Sequence, residues 1–454
     1  MQKIFAISHQ PSINATMMSQ TSSPPYKPKR CPQTNQLSTH IIISTFHSYN
    51  NCILSNIMDD KTTLAATLSN PTLTFNTKYE AARTYIDTLA KPVGSLGTLE
   101  DWGARLATLQ QTPTPSANSA ACLIFAADHG VAKDKAEGGK NCSAYPQIVT
   151  RKVLEALDHG VAGASVLSRC NNVQLRVIDV GLVDGPIPYE WSGVTVRSAT
   201  KRISGGTKNF CTECALTEDQ VSTCLQLGRE ETNKLMDDII GGIDVIMFGE
   251  VGIGNTTTAS ALIAALTGVQ DVDVATVCGS GASITRDGTN EEIVSNKIDI
   301  IKEALEFHNS DSSLKGNPMK ALSAMGGAEI CSMVGGMLEA SRHNVAVLVD
   351  GFIVTTAAMI ACMIDPAVSR VLLFATKSTE RGQLIAISTI EEIAAKSSHF
   401  YSIPVTTIKP ALDMGLRMGE ASGCITCVPL LRSACAVISD LATLNDVMTL
   451  EMGK

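Results

Sequence analysis

The chain has 454 residues, of which 44% are hydrophobic and 18% charged, and its formal net charge is −8. That length buries a large core and leaves room for more than one structural unit. Few aromatics (4%) among many small apolar residues point to an α/β protein with buried parallel strands. The acidic balance argues against a nucleic-acid partner, whose footprint would be a basic patch. The longest apolar stretch, 345–364, is broken by Asp350-Gly351 and Thr355-Thr356. It reads as strand, turn and helix rather than as a membrane span.

Residues 1–58 contain no Asp or Glu and are rich in Ser, Thr, Asn, Gln and Pro. Such a segment buries no core, and it is expected to be a disordered or targeting extension. The protein is accordingly expected to be cytoplasmic, or organellar if the extension is a transit peptide; Met58 is an alternative start. Residues 59–110 form a helical segment, with apolar residues at helical spacing over 78–89 and 99–109. Between them Lys91-Pro-Val-Gly-Ser-Leu-Gly97 makes a turn that no helix crosses.

The rhythm then changes. Short apolar runs at 122–127, 173–180, 243–248, 345–349 and 371–375 read as strands. Helical patterns at 148–157, 257–266 and 355–363 alternate with them. This alternation predicts a doubly wound, mainly parallel sheet over 111–400. Residues 401–454 return to mostly helix, so helical segments from both chain ends are expected to make a smaller domain.

In such sheets ligands bind outside the carboxyl ends of the strands. The most informative loop there is Gly249-Glu-Val-Gly-Ile-Gly-Asn-Thr-Thr257. Gly252 and Gly254 let backbone amides approach a ligand, and Asn255, Thr256 and Thr257 open the next helix. That combination suits a phosphate. The loop has neither the Gly-Lys-Ser/Thr of a P-loop nor the spacing of the dinucleotide fingerprint. Gly279 and Gly281, in Cys278-Gly-Ser-Gly-Ala282, offer a second set of amides. Lys297 adds a positive charge unless it lies on a solvated helix face.

His129, in Asp128-His-Gly-Val131, has no nucleophile elbow and no short-range ligand partner; a structural or substrate-positioning role fits it best. The 14 cysteines include two CxxC pairs, Cys211/Cys214 and Cys424/Cys427. They have the spacing of a zinc site, but an apolar setting for one pair and a polar loop for the other favour reduced thiols and no metal.

Glu420 lies among Met418, Gly419, Ala421 and Gly423. A carboxylate in small, apolar surroundings is pushed towards the pKa that a general base needs near neutral pH. On a continuous helix Asp413, Arg417 and Glu420 share a face, and an Arg417–Glu420 ion pair is then the ordinary explanation. Gly415, Gly419 and Gly423 weigh against it, because glycines at this density weaken a surface helix for no gain.

Six motifs occur in one order: Lys91-Pro-Val-Gly-Ser-Leu-Gly97, Ala127-Asp-His-Gly-Val131, Ser143-Ala-Tyr-Pro-Gln147, the 249–257 loop, Asp350-Gly-Phe352 and Leu412-Asp-Met-Gly-Leu-Arg-Met-Gly-Glu420. Together they resemble the nicotinate-nucleotide–dimethylbenzimidazole phosphoribosyltransferase family, over about residues 60–454. The resemblance implies transfer of a 5-phosphoribosyl group from nicotinate mononucleotide to 5,6-dimethylbenzimidazole, without cofactor or metal, in cobalamin assembly. It makes Glu420 the catalytic base. It places Ser143, Tyr145, Gln147 and Met418 at the base pocket, and Glu250, the glycine-threonine loop, the Gly279 region and Lys297 at ribose and phosphate. It further implies a doubly wound α/β domain with a small helical domain, and a homodimer.

The sequence departs from the family in a long 133–141 segment, a stretched 279–297 region, and Thr376-Lys-Ser-Thr-Glu380 in place of a His-containing loop. A transferase using the diphosphate donor is the nearest rival. It would need paired acids at a strand end, where this chain has only Asp350. Other readings are the same chemistry on another base, or a non-catalytic benzimidazole-binding protein.

Overall fold

The structure, a computed structural model, describes residues 61–450 except 134, 141, 189–195, 269–273, 279–290, 309–312 and 398–407. The 1–58 extension and the glycines Gly279 and Gly281 lie outside the described residues.

The chain opens with three helices, α1 (Lys61–Ser69), α2 (Phe75–Thr88) and α3 (Thr98–Gln110), then enters the sheet at β1 (Ala120–Ala127). Helices α4 (Val149–Asp158) and α5 (Gly163–Cys170) lead to β2 (Gln174–Gly181), followed by β3 (Val196–Ser198), α6 (Glu218–Asp238) and β4 (Val245–Val251). Next come α7 (Asn255–Thr267), α8 (Val274–Val277), α9 (Glu291–His308), α10 (Pro318–Met325) and α11 (Ala328–Arg342). The rest is β5 (Ala346–Val349), α12 (Phe352–Ile364), β6 (Leu372–Phe374), α13 (Gly382–Lys396), α14 (Ser422–Asp440) and α15 (Leu444–Thr449).

The six strands are parallel, in the order β3-β2-β1-β4-β5-β6. Chain order reverses between β1 and β4, and in an open α/β sheet that point opens the ligand crevice. β1 and β4 are buried along their whole length, as continuous apolar runs covered on both faces must be. On one face of β4, a Cβ on Gly336 of α11 would meet the Phe248 ring at 2.5 Å. On the other, a Cβ on Gly249 would meet the Ala421 amide at 2.9 Å, just ahead of α14. Alternate residues of one strand thus face two helical layers, which makes the sheet doubly wound. β3, three residues long at the sheet edge, is an addition to the strands expected from sequence.

α12 is apolar all round and wholly buried up to Cys362. Its Thr355 and Thr356 hydroxyls donate to the carbonyls of Gly351 (2.7 Å) and Phe352 (3.0 Å), so no hydroxyl is stranded in the core. α14 has the length and apolarity to cross a membrane. Its apolar face, including Ile425, Val428 and Leu431, is buried in the main core. A second apolar cluster joins Leu64, Tyr79, Ile86 and Ala107 from the N-terminal helices to Ile438 of α14. The Ala90 amide also donates to Ala442 at 2.9 Å, so α1–α3 and the end of α14 are held together.

Candidate active site

Loops from four strands meet at the carboxyl end of the sheet. The sharpest local feature is at 419–421, where Gly419, Glu420 and Ala421 have φ of 81°, 58° and 56°. Left-handed backbone at a glycine is cheap, but at Glu and Ala it is held in place by the surrounding structure. It also ends the expected helix. Residues 411–421 are not helical, and α14 begins only at Ser422. Asp413, Arg417 and Glu420 therefore share no helix face. Asp413 pairs with Lys377 at 2.8 Å, and among the described residues no ion pair joins Arg417 to Glu420.

The turn aims Glu420 at α5. Its Oε2 accepts a hydrogen bond from the Ala164 amide at 3.1 Å, in the first turn of that helix. Burial raises the Glu420 pKa above the ordinary carboxylate value, while the Ala164 amide pulls it down. Gly163 is small for a reason: a Cβ there would lie 2.3 Å from Met418 Cε and 3.7 Å from Glu420 Oε2. Met418 and Glu420 thus face the start of α5 together.

On the other side of Gly419 lies a cleft lined by Glu250, Asn255, Thr256, Asp350, Thr376 and Arg417, among others. Glu250 is buried at the end of β4 and accepts a hydrogen bond from the Asn255 side chain. A Cβ on Gly419 would sit 2.7 Å from Glu250 Oε1, so the 419–421 turn lies against this carboxyl. Burial, then the charges of Glu329 and Asp350, push the Glu250 pKa well above its usual value, with Glu420 adding to the shift. Asp350 is pushed up to about 6 by burial, against amide hydrogen bonds from Cys424, Gly351 and Gly423. These acids crowd one volume in which they cannot all ionise freely.

The glycine loop turns into α7 with Gly254 at φ 100°. Lys297 is buried rather than on a solvated face, and its Nζ donates to Thr256 Oγ1 at 3.0 Å. The stretched region before it has therefore not displaced it from the helix start. Thr257 is buried in the same turn.

The 143–147 loop is placed differently. The Tyr145 amide donates to Ser143 Oγ (3.1 Å), and Gln147 Nε2 donates to the His129 carbonyl (2.9 Å). Ser143 lines a cleft against α9 with Asn296 and Asp299, whereas Gln147 borders one with Asp128 and Val183. Tyr145 is exposed. The structure thus gathers Glu250, Asn255 and Thr256 with Met418 and the Glu420 turn, and leaves Ser143, Tyr145 and Gln147 on a neighbouring loop.

His129 is buried, with Nε2 2.9 Å from Glu329 Oε1 and Nδ1 2.9 Å from Thr258 Oγ1. Burial disfavours its charge, but the Glu329 carboxylate outweighs this and raises its pKa. Sequence reasoning missed Glu329, Thr258 and Gly163. Only the Gly326-Gly327 pair before Glu329 hinted at close packing. Both CxxC pairs are free thiols, three of the four buried, and no cluster of three potential metal ligands exists among the described residues.

Residues 74–448 match a family model described as phosphoribosyltransferase. The nicotinate-nucleotide–dimethylbenzimidazole phosphoribosyltransferase of Pseudomonas fluorescens (strain SBW25) is 38% identical over 365 residues, covering 80% of this chain and 92% of that protein. The enzyme of the same name from Bradyrhizobium sp. (strain BTAi1) is 37% identical over 358 residues, 78% of this chain and 89% of its own. A crystal structure of that phosphoribosyltransferase from Thermus thermophilus superposes with a TM-score of 0.68 at 29% identity, covering 82% of this chain and 98% of that one. The chain belongs to the nicotinate-nucleotide–dimethylbenzimidazole phosphoribosyltransferase family.

Proposed function

We propose that this protein transfers the 5-phosphoribosyl group of nicotinate mononucleotide to 5,6-dimethylbenzimidazole, giving α-ribazole 5′-phosphate and nicotinate, for the lower ligand of cobalamin. The observation that carries the reading is Glu420: a carboxylate held by strained backbone beside an acid-lined cleft, with its pKa raised by burial.

The donor phosphate lies against the glycine loop and the start of α7, with Lys297 beside Thr256. The acceptor ring stacks by Met418 and the N-terminus of α5, within reach of Glu420. One benzimidazole nitrogen attacks ribose C1′ while Glu420 takes the proton from the other, and the C1′–pyridinium bond breaks. The nicotinate ring keeps the bonding pair and leaves uncharged at nitrogen, so no general acid is needed. Attack on the face opposite the leaving base turns a β-linked donor into an α-linked product. Asp350 places negative potential where positive charge spreads over the ribose at the transition state, and Glu250 offers that ribose a hydrogen-bonding carboxyl. Ser143, Tyr145 and Gln147 close the acceptor pocket from their neighbouring loop. The working unit is a homodimer, which light scattering at micromolar concentration tests as a doubled mass.

Incubating the protein with nicotinate mononucleotide and dimethylbenzimidazole should yield ribazole phosphate and nicotinate in equal amounts by mass spectrometry. Binding of both compounds without product would leave a benzimidazole-binding protein instead. Competition among several benzimidazoles, purines and phenols identifies the acceptor. A flat pocket separates ring methyls by only about 1–3 kcal/mol each.

A further inference from the structure

We propose that His129 is a positioning residue: it ties the glycine loop and the first turns of α7 to α11 and to the 143–147 loop, and so sets the geometry in which the donor phosphate is held. This inference rests on the reading of that loop as the phosphate cradle.

Four chain segments converge on the one residue. Its Nδ1 meets Thr258 Oγ1 of α7 at 2.9 Å and its Nε2 meets Glu329 Oε1 of α11 at 2.9 Å. Its own carbonyl accepts from Gln147 Nε2 at 2.9 Å. The ring is the floor of the glycine loop: a Cβ on Gly252 would lie 3.2 Å from His129 Nε2, and one on Gly254 3.3 Å from His129 Cβ. From α11, a Cβ on Gly327 would lie 2.6 Å from His129 Cε1. Gly252 and Gly327 thus lie against the imidazole, and Gly254 against its Cβ.

Glu329 presents a carboxylate oxygen to Nε2, so Nε2–H donates; Thr258 can accept from or donate to Nδ1. Glu329 Oε2 is buried and has no hydrogen-bond partner among the described residues. Its carboxylate therefore depends on His129, and an isolated buried carboxylate is costly. His129 itself is only 1% exposed and does not line the cleft. It touches no reacting atom and acts through the loop above it. A shift of about 1 Å in such a loop costs up to about 100-fold in function.

Thr258→Val is the decisive variant, because it keeps the shape and removes only the hydroxyl. Its KM for nicotinate mononucleotide should rise about 10-fold, with kcat within about 3-fold and the acceptor KM unchanged; a general structural loss would not split this way. Glu329→Leu should behave alike, whereas Glu329→Gln, which still offers Nε2 an acceptor, should restore the donor KM to within about 3-fold of wild type. His129→Asn should show the largest donor effect, and if it does not fold, Thr258→Val and the Glu329 pair decide. Gly254→Ala is the control for the cradle. A raised donor KM in Gly254→Ala with a normal one in Thr258→Val overturns the role of His129 alone. A normal donor KM in both overturns the phosphate-loop reading with it.

Discussion

Glu420 Oε2 accepts a hydrogen bond from the Ala164 amide at 3.1 Å across 256 positions of chain. The carboxylate thus sits in the positive end of α5, which favours its ionised form, while burial favours the neutral form. Burial wins, and the base remains more basic than an ordinary carboxylate. As the proposed base, Glu420 works ionised, so kcat/KM for the acceptor should fall as pH drops through a limb above the usual carboxylate range of about 4.3. Ala164→Pro removes the amide donor at a position where a helix tolerates proline. That variant should move the limb to higher pH, and an unmoved limb would separate the pH dependence from Glu420.

Glu250 has its folded-state pKa raised by burial and by neighbouring acids. For a carboxyl with a raised folded pKa, the associated stability is present below the unfolded value and is lost as pH rises through the folded one. Glu250→Gln keeps an acceptor for the Asn255 side chain and removes the ionisation. Its melting temperature should exceed that of the wild type at neutral pH, with the gap closing below about pH 4. Thermal melts across pH 4–8 show this directly, and a gap independent of pH would place the proton elsewhere.

Gly249 lets the β4 backbone lie against the 419–421 turn. A Cβ there would come within 2.9 Å of the Ala421 amide and 3.0 Å of Ile124 Cγ1. Gly249→Ala should cost about 1–3 kcal/mol by overpacking and lower kcat by shifting Glu420. Denaturant unfolding and steady-state rates measure the two effects separately.

The 91–97 turn is anchored from below by Glu100, which is fully buried. Its carboxylate takes Lys91 Nζ at 2.8 Å, Arg83 Nη2 at 3.3 Å and the Leu96 amide at 3.0 Å. Removing one member of a buried set strands the others, at about 3–5 kcal/mol. Glu100→Leu should lower unfolding stability by about that amount, and Lys91→Met in the same chain should recover part of it.

The central strands were legible because a strand buried on both faces is a continuous apolar run: 122–127 and 243–248 mark β1 and β4 within a few residues. β3 was not, since three residues at a sheet edge, Val196–Ser198, carry no run to read. Glu420 stood out through the glycines around it, but its backbone did not. Helical spacing suggested a shared face with Arg417, whereas residues 411–421 are not helical and φ is positive at 419–421. His129 reads from sequence as a structural or substrate-positioning residue, and the structure buries it against Glu329 and Thr258. Those two partners were not legible, because tertiary packing alone brings residues 200 and 129 positions away to one ring.

Glu420 is proposed to take the proton from the attacking base. The direct test is steady-state kinetics of Glu420→Gln with nicotinate mononucleotide and dimethylbenzimidazole, with binding of both measured by calorimetry. The expected result is a loss of about 10²- to 10⁴-fold in kcat, with both dissociation constants and the melting curve close to wild type. A variant that turns over at the wild-type rate would contradict the claim.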